Sequence, residues 1–91
     1  MPFFVYLLLS AEGYHYTGQT PDLARRLAEH NSGLCHSTKH GTSWSVVHTE
    51  EFATRSEAMR REKFLKSRSG RRWIAQHVAG WSPAHPKGVT E

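Results

Sequence analysis

Residues 5–18 read VYLLLSAEGYHYTG. The run from Phe3 to Leu9 is aromatic, β-branched and apolar without a break, the composition of a central strand covered on both faces. Ala11-Glu12-Gly13 supplies a turn signal, and Tyr14-His15-Tyr16-Thr17 alternates as a second, antiparallel strand would. The stretch is therefore a hairpin. It carries three tyrosines, at 6, 14 and 16. Tyrosine suits strands, so packing alone explains them unless other reactive groups converge on the same place.

Thr20-Pro21-Asp22 opens a first helix, with Thr20 as cap and Pro21 at the first helical position, and Asn31-Ser32-Gly33 closes it. A polar loop follows, holding Cys35, His36, Lys39 and His40. Trp44 to Phe52 returns to strand chemistry, its alternation placing Trp44, Val46 and His48 on one side and Val47 on the other. Thr54-Arg55-Ser56-Glu57 is a capping box that starts a second helix ending near Ser67. Ser69-Gly70 interrupts the pattern, and Arg71 to Val78 supports a short third helix. Two prolines and two glycines from Gly80 onward mark a flexible tail. The expected architecture is α+β: a three-stranded antiparallel sheet flanked by helices, in the order β-β-α-β-α-α, with one domain over residues 1–79 and a tail over 80–91.

Charge is concentrated in one segment. Between Arg55 and Arg72 lie eight basic residues against Glu57 and Glu62, whereas residues 1–54 are net acidic. Such clustering is the electrostatic footprint of a polyanion binder. The single Cys35 leaves no partner for an intramolecular disulfide, and the longest apolar run is far shorter than the roughly 20 residues of a membrane span. A cytoplasmic protein without a membrane association is expected. Cys35, His36 and His40, with His30 nearby, are zinc-ligand types, but their spacing matches no common zinc pattern.

Helical geometry sorts the charged groups. At about 100° per residue, Leu23 and Leu27 define the inner side of the first helix, with His30 inside that arc, Arg26 at its edge, and Arg25 and Glu29 pointing away. On the second helix Ala58 and Leu65 mark the buried stripe, and Glu62 falls on the same side. A carboxylate there needs a partner: either an internal base such as Arg26 or a divalent ion. Tyrosine, arginine and a single carboxylate together are the inventory of metal-assisted phosphoryl hydrolysis, in which a base accepts a proton from water and cations offset the phosphate charge.

Tyr6 in VYLL, Tyr16-Thr17-Gly18 ten residues later, DLARRLAEHN (22–31) and SEAMRREKFLKS (56–67) resemble a GIY-YIG nuclease domain, over about residues 3–78. The likeness is greatest to its small stand-alone members. It implies that Tyr6 and Tyr16 are the paired motif tyrosines with hydroxyls in a cleft, either one serving as general base. Arg26 is then the phosphate-stabilising arginine, His30 the histidine one turn on, and Glu62 the ligand of one Mg²⁺ or Mn²⁺. The first half-motif here is Phe4-Val5-Tyr6, without the eponymous glycine and isoleucine, and Gln19 stands where some repair-type members place a lysine. The implied function is a divalent-metal-dependent DNA nuclease, selective for structure (branched or single-stranded) rather than sequence, in DNA repair or processing; an accessory domain recruited by a larger repair assembly through its exposed helix is a rival reading. Lys39, His40, Arg55, Arg60, Arg61, Lys63, Lys66, Arg68, Arg71 and Arg72 are the expected nucleic-acid contacts. A nucleic-acid-binding module of the same fold with little or no turnover is the alternative.

Overall fold

A computed structural model describes residues 2–33 and 42–78 and the backbone of 88–90. Cys35, His36, Lys39 and His40 lie outside the described residues. The elements are β1 (Phe3–Leu9), β2 (His15–Thr20), α1 (Leu23–Asn31), β3 (Ser45–Phe52), α2 (Arg55–Lys66), α3 (Arg68–His77) and β4 (Gly88–Thr90). Strand order is β3-β1-β2-β4, with β1–β2 and β1–β3 antiparallel. Three residues of the stretch expected to be a tail thus extend the sheet, pairing in parallel with His15–Thr17. The pairing stops short of Gly18–Thr20.

The central position of β1 explains its unbroken apolar run. Val5 and Leu7 pack with Ala58, Leu65, Ile74 and Val78 under α2 and α3, while Tyr6 and Leu8 pack with Tyr16, Trp44, Leu23 and Leu27 under α1. Alternate side chains of one strand therefore feed two separate cores, one on each face of the sheet. At the hairpin turn Gly13 takes φ +94°, a left-handed conformation open to glycine. Glu12 in that turn accepts from the Thr42 amide at 2.9 Å and from the Thr42 hydroxyl, and these bonds hold its carboxyl down at about 2.

Three local readings need correction. The N-cap of α1 is Asp22, whose Oδ1 accepts from the Arg25 amide at 3.1 Å; Thr20 instead caps the preceding turn through the Asp22 amide at 3.1 Å. In β3 a register shift opposite Leu7/Leu8 inserts Val47 as a bulge, so His48 pairs with Leu7 and lies on the α3 side, away from Trp44 and Val46. Strict alternation cannot anticipate this extra residue. Finally, α3 begins at Arg68, capped by Ser67 Oγ accepting from the Gly70 amide at 3.1 Å. Gly70 is no break: a methyl group there would collide with the Phe64 carbonyl and the Leu65 Cα, so glycine lets α3 start tightly against the end of α2. The Thr54/Glu57 capping box forms as read, with both reciprocal bonds present.

Candidate active site

The two motif tyrosines meet beneath α1. Register puts Tyr6 opposite Gly18 and Leu8 opposite Tyr16, so both phenols leave the same face of the sheet as diagonal neighbours, with ring centroids 6.0 Å apart. His30 descends from the last turn of α1 between them. Its Nε2 and the Tyr6 hydroxyl share a 2.9 Å hydrogen bond, and its ring lies 4.6 Å from that of Tyr16. Gly18 makes the space: a Cβ there would stand 2.7 Å from both the Tyr6 hydroxyl and Tyr16 Cε2. Asn31 fixes the end of the helix over this cluster, donating to the Trp44 carbonyl at 3.0 Å and accepting from the Trp44 amide at 2.7 Å. Tyr6, Tyr16 and His30 are each only 1% exposed. The expectation that the hydroxyls line an open cleft is corrected accordingly, because Leu23 and Leu27 seat α1 directly over the rings.

Arg26 and Glu62 remain at the surface, in adjoining grooves. One, of about 550 Å³, is lined by Gln19, Pro21, Arg25, Arg26, Glu29 and Arg55 among others. The second, of about 330 Å³, is lined by Gln19, Met59, Glu62, Lys63 and Lys66. Gln19, on the β2 edge that β4 leaves uncovered, belongs to both. The sequence reading gathered Arg26, His30, the tyrosines and Glu62 into one inner zone, and here the sheet divides it. The phenols lie on the α1 face, and Glu62 reaches the same edge of β2 from the α2 face. Nor do Arg26 and Glu62 pair with each other. Arg26 Nη1 lies 3.0 Å from Glu29 Oε1, and Glu62 Oε2 lies 2.6 Å from Lys66 Nζ.

Of the basic residues in the charged segment, Arg55, Arg60, Lys63, Arg68, Arg71 and Arg72 are exposed. Arg61 is committed inside the protein. Its guanidinium bonds both oxygens of Glu50, at 2.7 and 3.0 Å, and lies 4.7 Å over the Trp73 ring, whose neighbour His77 stacks at 4.3 Å. Arg61 is thus the strut between β3, α2 and α3 rather than a phosphate contact, and Trp73 is closed in by its neighbours. Burial pushes the Glu50 carboxyl up, but the bonds and charges of Arg61 and His48 outweigh it and hold it below its ordinary value of 4.5. A depressed folded pKa contributes stability that is complete above the unfolded value and is lost as pH falls through the folded one. Arg61→Met, which keeps the stem over Trp73, should therefore flatten the acid limb of unfolding below about pH 4.5 while the Glu12 contribution persists. Urea titrations from pH 7 to 3 giving the same slope for both proteins would remove Arg61 from this role.

A cation fits the second groove on chemical grounds. Among the described residues no group of three or more His, Cys, Asp or Glu gathers, which excludes a preformed protein cage there. A single carboxylate, 18% exposed in an open groove, suits an ion such as Mg²⁺ that keeps most of its waters. The residues the sequence did not single out are Asn31, Glu29 and the glycine contact of Gly18; only Gly18 had a signal, as the end of the second half-motif.

Comparison with known proteins agrees with this fold. The model of the GIY-YIG catalytic domain matches residues 2–80. A UPF0213 protein of Halobacterium salinarum is 46% identical over 66 residues, 71% of this chain and 86% of that protein. A UPF0213 protein of Listeria monocytogenes is 43% identical over 67 residues, 72% of this chain and 75% of that protein. The solution NMR structure of the UPF0213 protein BH0048 from Bacillus halodurans superposes with a TM-score of 0.52 at 34% identity, covering 84% of each chain.

Proposed function

Because this chain belongs to the GIY-YIG catalytic domain family, a nuclease family, we propose that it is a divalent-metal-dependent nuclease hydrolysing phosphodiester bonds of DNA. The observation that carries the reading is the placement of one guanidinium, Arg26, and one carboxylate, Glu62, in grooves that meet at Gln19. A phosphate at Gln19 has a planar fork of donors on one side and an anchoring carboxylate on the other. Glu62 holds the ion, Mg²⁺ or Mn²⁺, which when bound supplies Lewis-acid neutralisation of phosphoryl charge. Arg26 exchanges Glu29 for a phosphate oxygen, and Arg25, 3.4 Å from Glu29, keeps that carboxylate neutralised.

The proton of the attacking water goes to the phenol cluster. The Tyr6 hydroxyl can pass its own proton to His30 across their 2.9 Å bond and accept another, whereas Tyr16 supports the His30 ring by packing. At 1% exposure Tyr6 acts only in a state that admits water to it. Substrate selection rests on structure rather than sequence, since the cations flanking the grooves recognise phosphate and not base edges. Branched or single-stranded DNA, a cytoplasmic role in DNA repair or processing, and recruitment by a larger repair assembly complete the proposal. No helix among the described residues is long and apolar enough to cross a membrane.

Two observations favour a second reading, a binding module with little turnover: Lys66 already neutralises Glu62, and the phenols are closed to water. End-labelled single-stranded, duplex and branched DNA, incubated with and without Mg²⁺, separates the two. The nuclease reading expects products in the metal-containing reactions alone, most abundantly from non-duplex substrates. Retained binding with no products under any condition establishes the module.

A further inference from the structure

We propose that Lys66 is a built-in competitor for the cation site, so that metal and nucleic acid bind to this protein cooperatively. The inference rests on the reading of Glu62 as the metal ligand. Lys66 and Glu62 stand one helical turn apart on α2, their ends 2.6 Å apart, with side chains only 17% and 18% exposed. An exposed pair at this spacing is weak and screened by salt, but one this enclosed is screened much less. A divalent cation at Glu62 would sit against the ammonium, and the two positive charges repel. Metal entry therefore requires the Lys66 ammonium to leave the carboxylate.

The groove itself defines where that ammonium goes. Lys66 lines it together with Gln19, the residue shared with the Arg26 groove, and a four-carbon stem lets the charge swing without moving the helix. A phosphate at Gln19 gives the released ammonium an anionic partner. Conversely, a phosphate that draws Lys66 away opens Glu62 to the metal. By linkage the two effects are equal: each ligand raises the affinity of the other by the same factor. Lys63 lines the same groove with no bond to Glu62 among those described, and so provides an internal comparison.

The test measures Mn²⁺ binding by calorimetry and by electron paramagnetic resonance, with no turnover involved. Wild type, Lys66→Met, Lys66→Gln, Lys63→Met and Glu62→Gln are each titrated alone and with a short phosphorothioate oligonucleotide. The expected result is Mn²⁺ affinity about ten-fold tighter in both Lys66 variants, the size of a modest coupling energy. Wild type should approach that affinity when the oligonucleotide is present, and the Lys66 variants should gain little from it. Equal affinity in wild type and both Lys66 variants overturns the competitor role while leaving Glu62 as ligand. Equal tightening by Lys63→Met also overturns it, since the cause is then the net charge of the groove. Undiminished Mn²⁺ binding by Glu62→Gln overturns the underlying reading instead.

Discussion

Glu62→Gln should bind DNA within about two-fold of wild type and cleave it at least about 100-fold more slowly, the scale of losing one transition-state charge stabiliser. The amide preserves shape and helix packing while removing the charge that anchors a cation. It also releases Lys66 from its 2.6 Å ion pair, which leaves the groove more positive and sustains affinity for phosphate. Arg26→Ala should show a different signature. Its side chain is one-third exposed at 33%, and Glu29 retains Arg25 as partner, so the helix loses little stability. Cleavage should fall by about 10²–10³, with a weaker loss of binding, because the donors lost are those aimed at phosphate charge. Single-turnover rates paired with fluorescence anisotropy resolve both signatures. Wild-type turnover in Glu62→Gln would relocate the metal and dissolve the proposed site.

What the sequence reveals and conceals here follows the range of each interaction. The hairpin, the two-faced β1 and the Thr54/Glu57 box depend on neighbours a few residues away, and all three can be read from pattern alone. So can the diagonal approach of Tyr6 and Tyr16, because their spacing and the turn fix the register. The bulge at Val47 and the tight start of α3 at Gly70 answer to partners elsewhere, and both mislead a reader of local periodicity. The candidate site fails the same way. Helical arcs show that His30 and Glu62 face inward, but each arc is blind to which face of the sheet its helix covers. Hence the assumption of one shared zone, where the protein has a buried cluster and two surface grooves joined at Gln19. Partner choice was equally out of reach: Arg26 selects Glu29 and Glu62 selects Lys66 from within their own helices.

Gly18→Ala should destabilise the protein by about 3 kcal/mol, although Gly18 has no positive φ to defend. Its added Cβ would fall 2.7 Å from the Tyr6 hydroxyl, 2.8 Å from Tyr6 Cζ and 2.7 Å from Tyr16 Cε2. Neither ring can give way freely. Tyr6 is tethered to His30, and Tyr16 is packed 4.6 Å from the same imidazole. Overpacking a core costs about 1–3 kcal/mol. Stretching the buried Tyr6–His30 hydrogen bond adds about 1–2 kcal/mol. Gly33→Ala is the control: φ is +80° with nothing within 4 Å of the new methyl, so only the backbone penalty of about 1 kcal/mol applies. Crowding also predicts coupling. In the double variant Gly18→Ala/Tyr6→Leu the new methyl meets a shorter side chain, and the combined loss should fall at least 1 kcal/mol short of the sum of the single losses. Urea unfolding at pH 7 measures wild type, Gly18→Ala, Tyr6→Leu, their double variant and Gly33→Ala. Strict additivity would mean that Gly18 serves the strand backbone alone and that the glycine of the half-motif has no part in seating the phenols.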